Sequence, residues 1–432
     1  MKAFVVTDLG YGDAGKGTVV DALVRKHDAE LVVRHNGGAQ AAHNVVIRGT
    51  RITRGDQGDD HHTFAQFGSG SLIDGVRTYL GPKVLVNPLN MITEAEHLRE
   101  LGAEDILGRT YIDARAVITT PFHIAGNQIR EILRAGGRHG SCGLGIGETM
   151  IDQLQGLALR AGDLSDPALM AEKLGLIREH KLQEMQSLLD QLPAAAWTVA
   201  EPLFSNRSVS ELAETYAEFQ GLINIVSGYD LTAHQTIVFE GAQGVLLDED
   251  HGFHPYTTWS HTTTANADQL LDGYPGQVER IGLLRSYMTR HGAGPFVTED
   301  PELGRLLPEA HNGYGRWQQH WRVGHPDLVA LRYALQVAGD IDQLAITCLD
   351  LTDGLDLGLC TDYMKDGATY DLLPLPEVDL DRQQLITETL LECSPVYAPV
   401  SGEQIPEIME RETGLPVTLR SWGPTADDKE FS

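Results

Sequence analysis

The feature that most constrains the fold is a glycine-rich loop that begins at the tenth residue. Ala3–Thr7 has the pattern of a short apolar strand, Gly10–Gly17 reads GYGDAGKG, and Thr18–Arg25 has apolar residues at helical spacing. In a strand–loop–helix corner of this kind, backbone N–H groups of the loop and of the helix N-terminus can bind phosphate oxygens. The sequence therefore predicts an α/β protein with a P-loop-like nucleotide site.

The loop also departs from the P-loop pattern in two ways. Gly17 occupies the eighth position, where a P-loop carries the hydroxyl that binds Mg²⁺, and Asp13 lies inside the loop beside Lys16. A carboxylate among phosphates is repulsive unless it holds a metal ion or accepts a proton. The departure points away from ordinary P-loop NTPases; a strand–turn–helix corner without a ligand is the alternative.

Two later apolar segments extend the same pattern. Thr236–Phe239 and Leu344–Leu349 read as buried strands that end at Glu240 and Asp350. Alternating strands and helices with polar residues at strand ends predict an α/β fold with a largely parallel central sheet, whose ligands lie over its carboxyl edge.

The domain organisation is predicted to be simple. Residues 1–432 are expected to form a single domain, in which residues 164–222, with leucines and methionines at helical spacing, form an inserted helical subdomain. We interpret that apolar stripe as packing rather than as a binding groove. The proline-rich stretch within residues 372–380 predicts that residues 365–432 are a peripheral C-terminal segment.

The charge of the chain argues against nucleic acid and anionic membranes as partners and identifies no other partner. Lys plus Arg total 33 against 61 Asp plus Glu, a net charge of -28. Nucleic acid and anionic membranes are bound by basic surfaces, so neither is an expected partner. No apolar run reaches the ~18 residues of a membrane span, and the four cysteines are widely spaced, which favours a reducing cytoplasm.

One polar segment offers possible metal ligands. Residues 50–62 read as a polar loop that contains Asp59, Asp60, His61 and His62. These types resemble a metal cluster, but we expect a solvated loop instead.

Several longer stretches carry a resemblance to a known family. The opening GYGDAGKGTVVDAL is followed by VVRHNGGAQAAHNVV, and further matches are VFEGAQGVLLDEDHGFHPYTT (238–258), RSYMTRHGAGPFVTE (285–299), ALRAGDL (158–164) and PDLVALRYA (326–334). Together they resemble the adenylosuccinate synthetase family over nearly the whole chain. The resemblance implies a ligase that transfers the γ-phosphate of GTP to the 6-oxygen of IMP, after which the amine of aspartate displaces phosphate.

The resemblance also implies roles for five residues. Asp13 matches the catalytic base and Mg²⁺ ligand, Lys16 the phosphate-loop lysine, and His43 the histidine that contacts the transferring phosphate. Gln243 matches the glutamine that hydrogen-bonds the purine oxygen, and the carbonyl of Ala42 matches a second metal ligand. Mg²⁺ is thus the expected cofactor and GTP the expected co-substrate.

Further positions are assigned to GTP. A carboxylate such as Asp350 can accept hydrogen bonds from both guanine N1–H and N2–H, although a family lysine nearby is Cys348 here. A cap or turn role for this Asp is the alternative. The full set of predicted GTP-binding residues is Gly12, Gly15, Lys16, Gly17, Arg322, Asp350, Gly423 and Pro424.

The substrate side departs from the family. The family's aspartate-binding arginines are lost except Arg322, and Leu144 stands where another arginine is expected. Its phosphate-binding Asn, Thr, Thr and cross-subunit Arg read Gln40, Cys142, Thr258 and Gly156, with Arg160 nearby as a possible substitute. Because bidentate arginines hold carboxylates and phosphates well, both anionic groups lose contacts. The predicted substrate-binding residues are Gln40, Ser141, Cys142, Arg160, Gln243, Thr258 and His320.

The sequence therefore predicts a GTP-dependent ligase that acts on a purine-like oxo group and an amine, as a cytoplasmic homodimer. Whether aspartate or another amine is the nucleophile stays open, as does the presence of a 5′-phosphate on the substrate. The alternatives are an ordinary adenylosuccinate synthetase, a catalytically inactive GTP-binding protein, and a kinase that stops after phosphoryl transfer.

Overall fold

The computed structural model describes residues 1–47, 60–205, 207–307, 309, 312–375 and 378–432. Within these ranges the strands are β1 Lys2–Asp8, β2 Leu31–Arg34, β3 His43–Ile47, β4 Asp60–Phe64, β5 Arg77–Leu80, β6 Leu85–Val86, β7 Thr110–Asp113, β8 Val117–Ile118, β9 Asn224–Val226, β10 Thr236–Glu240, β11 Gln277–Arg285, β12 Met288–His291, β13 Trp321–Gly324, β14 Gln343–Thr347, β15 Asp356–Lys365, β16 Ala368–Tyr370, β17 Ser394–Ser401, β18 Val417–Ser421 and β19 Lys429–Phe431.

The α-helices in the same ranges are α1 Lys16–His27, α2 Pro88–Glu100, α3 Pro121–Arg134, α4 Ile146–Leu154, α5 Pro167–Leu189, α6 Glu201–Phe204, α7 Arg207–Gln220, α8 Ala265–Leu270, α9 Pro301–Leu306, α10 Leu328–Val337, α11 Leu349–Thr352, α12 Leu380–Glu392 and α13 Ile405–Thr413.

A ten-stranded sheet organises these elements, in the order β19-β18-β14-β11-β1-β10-β2-β5-β7-β9. Every neighbouring pair is parallel except β18 and β19 at one edge. The predicted α/β fold with a largely parallel sheet is confirmed. Because β1 lies centrally, the glycine loop that follows it opens at the carboxyl edge, next to the ends of β10 and β11.

Helix α1 forms where the sequence predicts it, because its apolar residues meet one face of the sheet. Val19, Val20, Leu23 and Val24 are buried and belong to one hydrophobic cluster with strand residues. Gly15 caps the helix with a left-handed backbone (φ 91°), which a glycine adopts without strain.

The helices between residues 161 and 220 share a core with α3. Leu174, Ile177 and Met185 of α5 are fully buried in the same cluster as Phe122 and Ile129 of α3. Their apolar stripe is therefore packing, as expected from its spacing. The subdomain boundary at residues 164–222 and the peripheral segment at 365–432 stay predictions about domain organisation, and β18 and β19 of the latter segment join the central sheet.

Two local predictions are wrong. The strand predicted to reach Leu349 ends at Thr347, because Cys348 adopts a left-handed backbone (φ 57°) and Leu349–Thr352 forms a helical turn that contains Asp350. The polar loop predicted for residues 50–62 ends in a strand, since β4 pairs antiparallel with β3.

His62 also contradicts the solvated-loop interpretation. Its side chain is 2% exposed, and its Nδ1 lies 2.8 Å from Nδ1 of His97. Asp59 lies outside the described residues.

Candidate active site

The glycine loop is folded around the carboxylate that ends β1. Asp8 accepts hydrogen bonds from the backbone N–H of Gly10 (2.9 Å) and of Ala14 (3.1 Å). The ammonium of Lys16 donates to the same carboxylate at 2.8 Å, and both side chains are buried. Asp8 thus fixes the start, the end and the lysine of the loop. The sequence analysis missed this role, although a carboxylate at a strand end was the available signal.

Neighbouring strands hold the middle of the loop from below. Arg285 at the end of β11 donates from Nε to the carbonyl oxygen of Asp13 at 2.8 Å. Thr347 at the end of β14 donates from Oγ1 to the carbonyl oxygen of Ala14 at 2.7 Å. The loop carbonyls therefore face the sheet, and the amides of the first turn of α1 have no partners within the helix.

Asp13 carries its carboxylate from a left-handed backbone position (φ 58°) and lines the main cavity. Burial raises the pKa of its carboxyl, while the positive charge of Lys16 opposes that shift. Nδ1 of His291 lies 3.9 Å from Oδ2 of Asp13. The carboxylate is thus placed among cationic groups, where it can accept a proton or hold a metal ion.

The structure explains why the eighth loop position has no hydroxyl. A Cβ at Gly17 would lie 2.7 Å from the carbonyl oxygen of Asn44 and 2.8 Å from the carbonyl carbon of His43. Strand β3 therefore lies directly on this glycine, and the close approach brings His43 to the loop.

His43 is held by a buried glutamate. Its Nδ1 lies 2.5 Å from Oε1 of Glu240, which also accepts hydrogen bonds from the N–H and hydroxyl of Ser69. Burial alone would raise the pKa of Glu240, but the Arg34 and His43 charges bring it to about 2. An ionised Glu240 only accepts, so Nδ1 carries the hydrogen and Nε2 carries the lone pair.

The protonation of His43 follows from the same surroundings. Burial lowers the pKa of His43 to about 4, and the charge of Glu240 opposes that effect. His43 lines the cavity as a neutral ring at neutral pH. The negative charge of a phosphate at Nε2 would favour its protonated form.

Gln243 is fixed against the glycine loop. It has a left-handed backbone (φ 65°) and lines the cavity. Asn36 pairs with both backbone groups of the preceding Ala242, at 2.7 and 3.0 Å. A Cβ at Gly244 would lie 2.3 Å from the backbone of the glycine loop, so the two loops are in direct contact.

One cavity of about 870 Å³ brings most of the predicted catalytic and substrate residues together. The predicted residues that line it are Gly12, Asp13, Lys16, Gln40, Ala42, His43, Ser141, Cys142, Gln243 and Thr258. This volume is sufficient for a nucleotide-sized ligand.

Arg160, His320 and Arg322 are among the predicted residues that do not line the cavity. Arg160 donates from Nη1 to the carbonyl oxygen of Arg115 at 2.8 Å. His320 is exposed, with its ring edge against Tyr314. Arg322 donates to backbone carbonyls of the 292–294 turn and pairs with Glu299 at 2.5 Å. Arg160 is therefore not placed to substitute for the lost phosphate-binding arginine.

The predicted guanine contacts lie together beside the first turn of α1. Thr18 donates from Oγ1 to the carbonyl oxygen of Pro424 at 2.7 Å. The carboxyl of Asp350 interacts electrostatically with Asp428 and Lys429, and burial raises its pKa. Gly423 lies in the same turn as Pro424, and Lys429 donates to its carbonyl oxygen. Neither Gly15 nor Gly17 lines the cavity: a Cβ at Gly15 would meet Thr347, and one at Gly17 would meet β3.

Helix α3 contributes two arginines that the sequence analysis missed. Among the described residues that line the cavity, the lysines and arginines are Lys16, Arg130, Arg134 and Arg290. Arg130 pairs with Glu148 at 2.7 Å and Arg134 with Glu131, whereas Arg290 donates to backbone carbonyls of the 293–295 turn. In the sequence these arginines lie in an ordinary amphipathic helix, so no motif marked them.

Two further groups of side chains lie close enough together to hold a metal ion. In the described part of the chain, Asp152, His180 and Glu184 form one group, and Asp248, Asp250 and His261 form another. Asp248 already accepts hydrogen bonds from the N–H groups of Asp250 and Thr262. In the first group, Asp152 and Glu184 already pair with the ammonium of Lys181.

Within the described ranges, no helix is long and apolar enough to span a bilayer.

A parallel α/β sheet, a glycine–lysine loop at its carboxyl edge, and a carboxylate and a glutamate-held histidine beside it define a nucleotide-dependent enzyme that activates a substrate by phosphoryl transfer. The family model described as adenylosuccinate synthetase matches residues 5–429. The chain belongs to the adenylosuccinate synthetase family, whose members are GTP-hydrolysing ligases that form C–N bonds. The family resemblance predicted from the sequence motifs is confirmed.

Relatives match over the full length. The chain is 33% identical to the adenylosuccinate synthetase of Vibrio parahaemolyticus, over 98% of this chain and 97% of that protein. It is 30% identical to the enzyme of Chlorobium chlorochromatii, over 99% and 97%. These values identify the chain as a ligase of purine biosynthesis that uses GTP as a co-substrate.

Two solved structures share the fold. A fully ligated adenylosuccinate synthetase from Plasmodium falciparum superposes with a TM-score of 0.79 at 23% identity, covering 99% of each chain. A succinoaminodeoxyadenylate synthetase from cyanophage S-2L, bound to dGMP and dATP, superposes with a TM-score of 0.58 at 16% identity. The match covers 100% of this chain and 95% of that one.

Proposed function

We propose that this protein uses GTP to phosphorylate the 6-oxo group of an IMP-like purine and then replaces the phosphate with an amine. The observation that carries this proposal is the presence of Asp13, Lys16, His43 and Gln243 around one cavity. A purine oxo group leaves poorly until it is phosphorylated, and a carboxylate, a cation and a histidine are the groups that such activation needs.

The first step uses Asp13 as a base. Its carboxylate accepts the proton from the purine N1, which leaves negative charge on the 6-oxygen, and the side-chain amide of Gln243 donates a hydrogen bond to that oxygen. The oxygen then attacks the γ-phosphorus of GTP, the bond to the β-γ bridging oxygen breaks, and GDP leaves. Lys16 and the amides of the loop compensate the charge of the phosphates.

The second step forms the C–N bond. The amine attacks the ring carbon that carries the phosphorylated oxygen, loses a proton, and phosphate departs with the electron pair of the C–O bond. His43, with Nε2 toward the cavity and Nδ1 held by Glu240, is placed to donate a hydrogen bond to the transferred phosphoryl group once it is protonated.

Mg²⁺ fits the donor set of the loop. The Asp13 carboxylate and the Ala42 carbonyl are hard oxygen ligands, both line the cavity, and β3 leaves no room for a hydroxyl at Gly17. When bound, the ion would neutralise phosphate charge. We assign Asp13 and Ala42 as its protein ligands.

The nucleophile is proposed to be an amine that need not be aspartate. In the segment before Arg322, Asn312 and Gln318 line the cavity, and Arg322 itself is paired with Glu299. Amide side chains neutralise a carboxylate less well than arginines do. A substrate phosphate, if present, would reach Arg130 and Arg134 rather than Arg160.

The homodimer and the cytoplasmic location predicted from the family resemblance stay predictions.

The test is a substrate matrix with mass detection. The protein is incubated with GTP and Mg²⁺, with IMP or inosine, and with aspartate or a panel of other amines, while released phosphate and adduct mass are measured. We expect phosphate release that requires both a purine and an amine, with one adduct per phosphate.

The alternatives give different results. A succinyl adduct from IMP and aspartate, formed faster than any other adduct, would identify an ordinary adenylosuccinate synthetase. Phosphate transfer without an adduct would identify a kinase. GTP binding with no turnover for any pair would contradict the proposed activity and leave a GTP-binding protein.

A further inference from the structure

Lys429 is a buried lysine at the start of β19 to which the sequence assigned no role. Its side chain is 8% exposed. Its ammonium donates to the carbonyl oxygen of Gly423 at 2.7 Å and to that of Thr425 at 2.8 Å. Two backbone carbonyls of one turn therefore converge on one cation.

The rest of this turn is fixed by its own residues and by α1. Asp428 accepts from the N–H and hydroxyl of Thr425, and its carbonyl oxygen accepts from the N–H of Trp422 at 2.9 Å. Thr18 in the first turn of α1 donates to the carbonyl oxygen of Pro424 at 2.7 Å. The turn thus presents its outer surface beside the helix end that receives the phosphates.

The charges of Lys429 and Asp350 also interact. Burial lowers the pKa of Lys429 to about 8, and the neighbouring Asp428, Cys348, Asp21 and Asp350 oppose that effect. The ammonium therefore binds the turn by hydrogen bonds and attracts the carboxylate of Asp350 by its charge. It offsets part of the repulsion between Asp350 and Asp428, which would otherwise separate the two sides.

We propose that Lys429 is a positioning residue for the guanine base: its ammonium holds the Trp422–Thr425 turn against α1 and keeps Asp350 facing that turn. This inference rests on the proposed use of Asp350 and the 423–424 turn as the guanine site. It adds a residue that touches no nucleotide atom and acts through the two elements that do.

The expected effect is on nucleotide affinity and on base discrimination. Without the ammonium, two converging carbonyls lose their donor and the turn relaxes. Base contacts are the same in the ground state and in the transition state, so their loss raises KM without lowering kcat. Inosine triphosphate lacks the 2-amino group that Asp350 recognises, so the preference for GTP over it measures the position of that carboxylate.

The experiment measures equilibrium binding of GTP, inosine triphosphate and ATP, and kcat, for the wild type, Lys429→Met and Lys429→Arg. Lys365→Met is the control, because Lys365 on β15 pairs with Glu392 of α12, away from the turn. For Lys429→Met we expect GTP binding to weaken about tenfold or more, most of the preference over inosine triphosphate to disappear, and kcat to stay within about twofold. We expect Lys429→Arg to keep part of the GTP affinity and part of the preference over inosine triphosphate.

The outcomes separate this inference from the proposed function. A wild type that shows no preference for GTP over ATP contradicts the guanine site itself. The role of Lys429 is overturned if the wild type prefers GTP and Lys429→Met leaves its affinities unchanged. It is also overturned if Lys429→Met weakens the binding of GTP and of inosine triphosphate equally. If Lys429→Met does not fold, Lys429→Arg decides: its longer planar group cannot hold both carbonyls alike, so an unchanged preference overturns the inference.

Discussion

At Gly17, a Cβ would meet the carbonyl oxygen of Asn44 at 2.7 Å, so the strand that carries His43 rests on the loop itself. The absent hydroxyl and the nearby histidine are thus two results of one contact. The sequence showed the departure from the P-loop pattern but not its cause, because the strand that fills the space comes from 26 positions further along the chain.

Replacing Gly17 should displace His43 from its position beside the glycine loop. In Gly17→Ala, β3 must move by several tenths of an ångström or more, and His43 moves with it. A misplacement of about 1 Å can cost about 100-fold in rate, and we expect a loss of up to about that size in the steady-state release of phosphate. Gly175→Ala on α5 is the control, since a Cβ there meets nothing within 4 Å; it should stabilise the helix by about 0.5–1 kcal/mol. Equal activity of both variants would contradict the coupling.

Asp13 gives the sharpest single-residue test of the chemistry. Asparagine has the same shape but cannot accept the N1 proton, so Asp13→Asn should abolish turnover while GTP affinity stays within about tenfold, or ~1.4 kcal/mol. Turnover is followed by phosphate release and affinity by calorimetry, with the exposed Asp356→Asn as a control. An undiminished rate would remove Asp13 from the mechanism.

Among the elements, α5 carries an unusual internal charge. Lys181 is fully buried and its ammonium lies 2.6–3.0 Å from carboxylate oxygens of Glu148, Asp152 and Glu184. Arg130, which lines the cavity, pairs with Glu148 on the same cluster. The cluster therefore joins α5 to the wall of the active site through α3 and α4.

Removing that ammonium should destabilise the protein strongly. Lys181→Met removes the ammonium that contacts all three carboxylates, and removing one partner of a buried ion pair typically costs about 3–5 kcal/mol. Urea unfolding measures the loss. Lys173→Met, at a partly exposed pair with Asp163, should cost about 1 kcal/mol or less. A similar small loss for Lys181→Met would show that the cluster contributes little to stability.

The elements also show how far sequence patterns reach. The glycine loop and β10 were predicted because glycines, a lysine and apolar runs mark them locally. The helical turn at Asp350 was missed because the left-handed Cys348 has no local signal, unlike a glycine. The burial of His62 was missed because His97 and Glu94 come from α2, and polar residues give no pattern by which to predict such a partner.

For the site, motif positions were predictable and the supporting contacts were not. Ten predicted residues line one cavity, and all of them except Ser141 and Cys142 belong to stretches that match the family. Arg130 and Glu240 act through tertiary contacts with residues elsewhere in the chain, and Lys429 acts through backbone carbonyls of a turn that no sequence pattern marked, so only the folded chain reveals their partners.

The whole molecule carries a net charge of -28, and that charge should respond to salt. Like charges repel in the compact state, and raising ionic strength from 0.1 to 1 M shortens the screening length from about 10 to 3 Å. We expect the Tm, measured by calorimetry without nucleotide, to rise by several degrees between 0.1 and 1 M KCl. An equimolal sugar series controls for exclusion effects. A Tm that falls with KCl would show that the charges are mutually compensated in the fold.

The bond between Thr18 and Pro424 spans 406 positions of the chain. A ribosome makes the phosphate loop before the turn beside it, so a nascent chain holds the loop without that turn while the intervening residues are added. We expect guanine-selective binding to appear only after both segments have been made. A chain stopped at Gly414, before β18, should retain the loop yet bind GTP no better than ATP; guanine selectivity in that truncated chain would contradict this order of assembly.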